Sequence, residues 1–540
     1  MVARSFRVSS DERATGIVEA FRLIHDVQAG LPSARDGLAR LRERARKEGW
    51  DDLERVCMFG DAVSSWMSGD GQAAGSVAAL IESATGAGDH VMLALGLALG
   101  SDQGFAGTDL FGTAAFDADL ARAIVLLEEE SGRPCERISA HTACAIALQN
   151  RWLFELSDEQ YELALSIGRA EPPGTVDFLL APILFNRAEQ HVSWATKLHE
   201  LGDRQGVQER WQAWKQLLTA TEEYPMPESW HLELAALGLI LQAIAGEQSG
   251  AEAARLAALA EERADLETRA VGLLRLPLAL ELAEGELDSG SGKEAAARAI
   301  DAALAAISPG VHPFLYDLAL FTAARLEARS GASAGLRYAR RALEAEWTKR
   351  EASLRAMRGQ MASVRLTSER DLLSRHARLD DLTGIANRRS LEEFLSGLLA
   401  EGSESCAVVL FDVDAFKAVN DKHGHLAGDQ LLVRIAEVLA RSVRASDLAV
   451  RLGGDEFAIV LAEVDITSAR QRAEALFAAL TEEPLDDIAG GIELQVSVGV
   501  AVGSPHSITP VWSAADAALY EAKALGGQQV CLAPPVAPSS

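Results

Sequence analysis

Two short acidic runs hold the residues of this chain best placed to do chemistry. The run VVLFDVD (408–414) ends in Asp412 and Asp414, and because side chains alternate across a strand, these two share a face while Val413 points away. The run RLGGDEFAIV (451–460) sets Gly453, Gly454, Asp455 and Glu456 between strand-like residues, which reads as the tight turn of a β-hairpin. Taken alone, that hairpin fits a surface turn with solvated acids just as well. With the first run beside it, Asp412 and Asp455 can meet at a sheet edge, the oxygen-rich setting that Mg2+ prefers. Two such ions would neutralise a triphosphate and activate an attacking hydroxyl. Glycines at the turn, lacking Cβ, let the backbone approach a bulky ligand. Lys417 follows the first strand as a point charge for phosphate. Asn420 precedes DKHGHLAGD (421–429) and Asp429 ends it, and an amide with a carboxylate can read a guanine edge, the carboxylate accepting from N1–H and the amino group.

The elements that would position these residues lie after residue 380. Strands of continuous apolar residues (CAVVLFDVD, LAVRLGGDEFAIVLAEV, IELQVSVGVAVG, QQVCLA) alternate with helical stretches in the order β-α-β-β-α-β, with one extra helix and a short edge strand. That order predicts an α+β palm, a ferredoxin-like sheet backed by helices, over 380–532. The ending APPVAPSS (533–540) predicts a disordered tail.

Residues 10–344 have a different pattern, rich in Ala, Leu, Glu and Arg at helical spacing. Glycine-bearing breaks at 201–206, 245–250, 287–292 and 329–335 punctuate them, the last three about 40 residues apart. Helix–turn–helix units at that period predict an all-α solenoid resembling tetratricopeptide repeats, without that family's clean signature. Trp66, Trp152, Trp194, Trp211, Trp214 and Trp230 in these helices read as core filler, with a ligand groove as the other reading. Between the halves, across 345–379 and beginning just before it, Leu343, Trp347, Leu354, Met357, Met361 and Val364 lie on a 3.5-residue seam, resumed by Leu372 and Leu379. This predicts a coiled-coil linker that pairs two chains; a single helix packed on the solenoid is the alternative.

With 540 residues the chain is too long for one core. Its net charge of −28 argues against binding nucleic-acid polymers or anionic membranes. Five scattered cysteines without metal-ligand spacing predict reduced thiols in a cytoplasmic protein. The first residues, MVARSFRVSSDERATG, lack the apolar core of a signal peptide, and the most apolar run, VMLALGLALG (91–100), is half the length of a membrane span.

Residues 371–532 resemble the GGDEF family of diguanylate cyclases. The resemblance rests on DDLTGIANRR (380–389), FDVDAFKAVNDKHGHLAGDQLL (411–432), RLGGDEFAIV (451–460), VSVGVA (496–501) and ADAALYEAKALG (515–526), in that order. It implies an enzyme that joins two GTP into cyclic di-GMP and releases two pyrophosphates, working as a homodimer with one GTP per subunit. By position it implies metal binding by Asp412, Asp455 and the Val413 carbonyl, with two Mg2+ per site, or Mn2+ in their place. Asp455 matches the base that takes the ribose 3′-hydroxyl proton, with Glu456 as the second acid of the motif. Lys417 and Lys523 match phosphate contacts, Asn420 and Asp429 the guanine readers, and Phe416, Gly453 and Gly454 further substrate contacts. RASD (444–447) resembles the RxxD site at which the product inhibits, through Arg444 and Asp447.

The family closes with AKxxGRN where this chain reads AKALGGQQV, so Gly527 stands in place of an arginine that helps to hold the triphosphate. An unreplaced charge-assisted contact would weaken GTP binding by about 1–3 kcal/mol. The expectation is a diguanylate cyclase whose helical half senses a ligand or partner and sets subunit pairing through 345–379. The alternative is a catalytically weak effector that binds cyclic di-GMP through Arg444 and Asp447.

Overall fold

The computed structural model describes residues 2–536 apart from 29, 69–70, 104–113, 130, 222, 225, 262–271, 291, 310, 329–333, 486–487 and 489–493. The chain divides into two compact units, Met1–Arg365 and Leu366–Ser540.

The described residues of the first unit are helical: α1 (Val2–Gln28), α2 (Pro32–Glu48), α3 (Asp51–Ser68), α4 (Ala73–Ala87), α5 (His90–Gln103), α6 (Ala114–Leu126), α7 (Pro134–Gln149), α8 (Phe154–Ala170), α9 (Asp177–Leu201), α10 (Arg204–Thr221), α11 (Glu228–Ile244), α12 (Gly250–Glu261), α13 (Arg275–Ser289), α14 (Lys293–Ala306) and α15 (Pro313–Ala328). The long helix α16 (Ala334–Arg378) begins here and continues past the unit boundary. Glycine in the left-handed region closes several of these helices, as Gly202 does after α9 (φ 83°) and Gly290 after α13 (φ 76°). The predicted breaks therefore fall at helix ends, although 291 and 329–333 lie outside the described residues.

Two apolar clusters fill the unit, and α9 joins them: Leu180 and Ile183 belong to the first, Val192 and Leu198 to the second. The run at 91–100 is the buried centre of α5, and among the described residues no helix is long and apolar enough to cross a membrane. The tryptophans divide between the two readings. Trp211 and Trp214 are buried in the second cluster, whereas Trp66 is 58% exposed.

The middle of the linker seam is buried in the first unit. Met357 and Met361 belong to its first cluster, and Trp347 packs against the second. Polar ties hold the same stretch down: the buried Arg350 donates to the Trp152 carbonyl (2.7 Å) and pairs with Glu155, and Arg365 pairs with Glu128. Over this stretch the seam is covered within one chain, while Leu366 beyond it is exposed. The side chain of Leu372 lies outside the described residues.

The second unit builds a five-stranded sheet in the order β2-β3-β1-β4-β5, from β1 (Cys406–Val413), β2 (Leu448–Gly453), β3 (Glu456–Ala462), β4 (Val496–Gly503) and β5 (Val530–Leu532). All neighbours are antiparallel except β4 and β5. Helices α17 (Arg388–Ala400), α18 (Phe416–His423), α19 (His425–Ser442), α20 (Ile466–Thr481) and α21 (Ile508–Ala524) complete it, which agrees with the α+β palm expected.

Strand alternation sorts β1 between two cores. Ala407, Val409, Phe411 and Val413 face α19 and α20, while Cys406, Val408 and Leu410 face α17 and α21. Helix α21 lies so close to β4 that a Cβ on Gly499 would come within 2.2 Å of the Ala515 carbonyl oxygen and 2.3 Å of the Leu519 nitrogen. The segment beyond β5 stays on the sheet, with the N–H groups of Ala533 and Val536 donating to Val500 and Val502. Of the segment expected as a disordered tail, 537–540 lie outside the described residues.

The first unit is also tied by charge. Asp52, in the first turn of α3, accepts from Arg13 of α1 (2.7 Å) and from Arg133 just before α7. Burial acts to raise its pKa, but these hydrogen bonds outweigh that and bring it from 3.8 to about 2. A depressed carboxyl stabilises the fold above its ordinary pKa and loses that contribution as pH falls toward 2. We expect Asp52→Asn to cost about 1–2 kcal/mol at pH 7, with the gap to the parent protein closing between pH 4 and 2, as measured by denaturant unfolding across that range.

Candidate functional site

The site assembles where β1 ends. Asp412 is the next residue on the face carrying Val408 and Leu410, so it points to the side of the sheet on which α21 packs. In register it lies between Glu456 of β3 and Ser497 of β4. Val413 points to the opposite core, as alternation requires.

Asp455 sits in the turn between β2 and β3. Gly453 and Gly454 enter that turn with φ of 148° and 58°, backbone that L side chains rarely adopt. The turn is fastened from two sides. The Val413 N–H points to the Asp455 carbonyl at 3.4 Å, and the Arg451 guanidinium donates to the Gly454 carbonyl (2.8 Å) and to Asp380 (2.8 Å). Asp380 also accepts from the backbone and hydroxyl of Thr383. Asp380 and Arg451 were not among the expected site residues, since 71 positions separate them.

The electrostatics of Asp412 explain what the pocket wants. Burial pushes its carboxyl up; a hydrogen bond from Lys523 (2.7 Å) opposes this, and the negative charges of Asp455 and Asp414 push it up further. Lys523, from the last turn of α21, is the cation held against this acidic group. The available donors are oxygens, which suit a hard divalent ion. Among the described residues no three His, Cys, Asp or Glu side chains are arranged to hold a metal by themselves. Mg2+ is commonly held by one or two carboxylates together with substrate phosphates, and Asp412 and Asp455, close enough for the charge of one to act on the other, are the two that could supply them.

Asp414, expected to share the face of Asp412, lies just past the strand. Its carboxylate accepts from the Ser497 hydroxyl (2.8 Å) and the Gln528 N–H (3.1 Å), so it closes the turn before β5. Gly527 is part of that turn at φ 75°, and a Cβ there would come within 2.8 Å of the Asp414 carboxylate. The position of the missing arginine is thus one that favours glycine.

A second group forms at the corner of α18 and α19. Phe416 and Asn420 both crowd Gly428, where a Cβ would meet Asn420 Oδ1 at 2.0 Å and the Phe416 ring at 3.2 Å. Asp429 is the next residue and is exposed, as is Lys417 on α18.

Arg444 and Asp447 precede β2, whose far end leads into the acidic turn; six extended residues separate the two features by roughly 17–20 Å. Asp447 is buried, and it accepts from the backbone N–H groups of Arg444 (3.0 Å) and Ala462 (3.2 Å) and from the Arg472 guanidinium of α20. Its ion partner is therefore Arg472, a residue the sequence reading passed over, while the Arg444 side chain is exposed.

Residues 377–529 match the family described as "Diguanylate cyclase, GGDEF domain". The chain is 37% identical to "Diguanylate cyclase TpbB" of Pseudomonas aeruginosa (strain UCBPP-PA14) over 166 residues, 30% of this chain and 38% of that protein. It is 34% identical to "Uncharacterized protein YhcK" of Bacillus subtilis (strain 168) over 163 residues, 29% of this chain and 45% of that one. The chain thus spans less than half the length of these curated relatives. The solved coiled coil and GGDEF domain of DgcB from Caulobacter crescentus, in complex with c-di-GMP, is 28% identical, covering 33% of this chain and 97% of that chain with a TM-score of 0.32.

Placing the arginine back at the closing turn is expected to destabilise it. Gly527→Arg puts an L side chain at positive φ, a strain of about 1–2 kcal/mol, and crowds Asp414 away from Gln528. Thermal unfolding is expected to show a lowered Tm for this variant and for Gly527→Ala alike; an unchanged Tm in both would contradict the strained turn.

Proposed function

We propose that this chain is a diguanylate cyclase whose C-terminal domain condenses two GTP into cyclic di-GMP with release of two pyrophosphates, regulated by its helical N-terminal domain. The observation that carries this reading is the meeting of Asp412 with the acidic turn beside Lys523, within the segment that matches the GGDEF family. The relative named as a diguanylate cyclase supports it.

Asp412, Asp455 and the Val413 carbonyl would hold Mg2+, two ions per site, or Mn2+. When bound, the metal supplies charge for the triphosphate and lowers the pKa of the attacking hydroxyl. Asp455 accepts the proton of the ribose 3′-hydroxyl, with Glu456 beside it on β3. Lys523 and Lys417 hold phosphate oxygens and stabilise the departing pyrophosphate. Asn420 and Asp429 take the guanine edge at the α18–α19 corner with Phe416, and Gly453 and Gly454 leave room for the nucleotide.

Each chain supplies half of the reaction, so two chains face each other and align a hydroxyl with the opposing α-phosphorus. Helix α16 acts as the coiled-coil linker in this pairing. With Met357 and Met361 committed to the helical unit, its exposed remainder, Leu366 included, is the surface left for a partner copy. Product inhibits at Arg444 and Asp447, with Arg472 beside them. The helical unit is read as a tetratricopeptide-like solenoid, in which successive helix pairs bury one another's faces. We place the protein in the cytoplasm.

Full-length protein incubated with GTP and Mg2+ is expected to form cyclic di-GMP, resolved by chromatography, and Asp455→Asn to lower turnover at least about a hundredfold with unchanged unfolding. If the parent makes no product but binds cyclic di-GMP until Arg444→Ala is introduced, the catalytically weak effector takes its place. Gly428→Ala drives a methyl into Asn420, so steady-state kinetics should show KM for GTP raised about tenfold, equivalent to about 1.4 kcal/mol, with kcat little changed.

A further inference from the structure

The helical unit holds a partly open cavity of about 140 Å3 that its own side chains leave unfilled. Its walls come from helices distant in sequence, with Phe21 of α1, Phe59 of α3, Ile138 of α7 and Ile183 of α9 facing it. All four are buried. Among the described residues, no Asp, Glu, Lys or Arg side chain lines it.

The cavity opens into a wider groove of about 610 Å3, and the two share His25, Gln28, Trp66, Ile146, Pro182 and Asn186. Three of these six are polar, so hydrogen-bonding groups gather at the neck, while the rest of the lining is apolar apart from Ser139 and Thr142, whose hydroxyl donates to the Ile138 carbonyl. Burial lowers the His25 pKa against a smaller opposing effect of Asp26, which favours the neutral imidazole. Trp66, from the end of α3, stands at the same neck and is 58% exposed, an unusual setting for so large an apolar side chain.

We propose that this cavity binds a small uncharged molecule made of one aromatic ring and one hydroxyl or N–H group, its ring inside and its polar end at His25, Gln28 and Asn186. Size sets the ring count, since an apolar cavity of about 150 Å3 accommodates one benzene. Charge sets the class. Among the described lining residues a carboxylate would find no Lys or Arg in exchange for its lost water, a cost that a neutral hydroxyl avoids. Neutral polar groups at the neck satisfy a donor or acceptor there, and the apolar walls reward removal of the ring from water.

The proposal gives the regulatory half of the cyclase reading a ligand, and it rests on that reading only for its regulatory meaning. Binding is therefore measured on the full chain without nucleotide, by titration calorimetry with phenol and with benzoate. Phenol should bind saturably at one site per chain, and benzoate at least tenfold more weakly. Ala143→Leu, which adds bulk to the cavity lining, should abolish phenol binding; Trp66→Ala, at an exposed position that does not threaten folding, should weaken it several-fold. Circular dichroism melts establish that each variant is folded, and Trp66→Ala decides the matter if Ala143→Leu is not. Absence of saturable phenol binding, equal binding of benzoate, or folded variants that bind as the parent does would each overturn the site. A chain that binds phenol yet makes no cyclic di-GMP would overturn the cyclase reading and leave this one standing.

Discussion

Three carboxylates crowd the end of one strand. Asp414 and Asp455 both repel Asp412, and burial of Asp412 sharpens that repulsion by withholding the water that would screen it. Lys523 answers this charge from α21, 2.7 Å from Asp412. An acidic cluster of this kind is costly as structure, because uncharged residues would hold a sheet edge together more cheaply. Its retention is understandable where a cation and a polyanion are to meet there.

The scaffold is arranged around that cluster. Lys523 reaches Asp412 because α21 lies almost in backbone contact with β4, an approach that Gly499 permits. The acidic turn stays beside β1 because Arg451 grips its carbonyl and is itself gripped by Asp380. Asp414, which looks like a third ligand, is occupied with Ser497 and Gln528, so two carboxylates are left facing the site. In the metal site proposed above, two acids would leave coordination positions for substrate oxygens that three would fill.

Much of this was legible in the sequence, and the misses have physical reasons. Alternation along a strand placed Asp412 and Val413 on opposite faces, and a glycine pair between apolar runs marked the hairpin; both are local rules. Asp414 escaped because alternation holds only while the strand lasts, and β1 stops at Val413. Arg472 and Asp380 escaped because their partners, Asp447 and Arg451, are 25 and 71 residues away, and nothing local encodes such a pairing. The seam of α16 was found, but an apolar stripe does not say what covers it. Met357 and Met361 would look the same packed on another copy as on the helices of their own unit. The tryptophans make the same point, since Trp214 and Trp66 both sit in helical context and only folding separates the buried one from the exposed one.

Gly499 also bears on how this protein can vary over generations. The space beside it is closed by the main chain of α21, the Ala515 carbonyl and the Leu519 nitrogen, and main-chain atoms have no alternative rotamer to retreat into. Every single-nucleotide change of a glycine codon that alters the amino acid introduces a Cβ. The position is therefore shut to one-step mutation, and lineages that keep α21 against β4 must inherit the codon's meaning unchanged while the surface around it drifts.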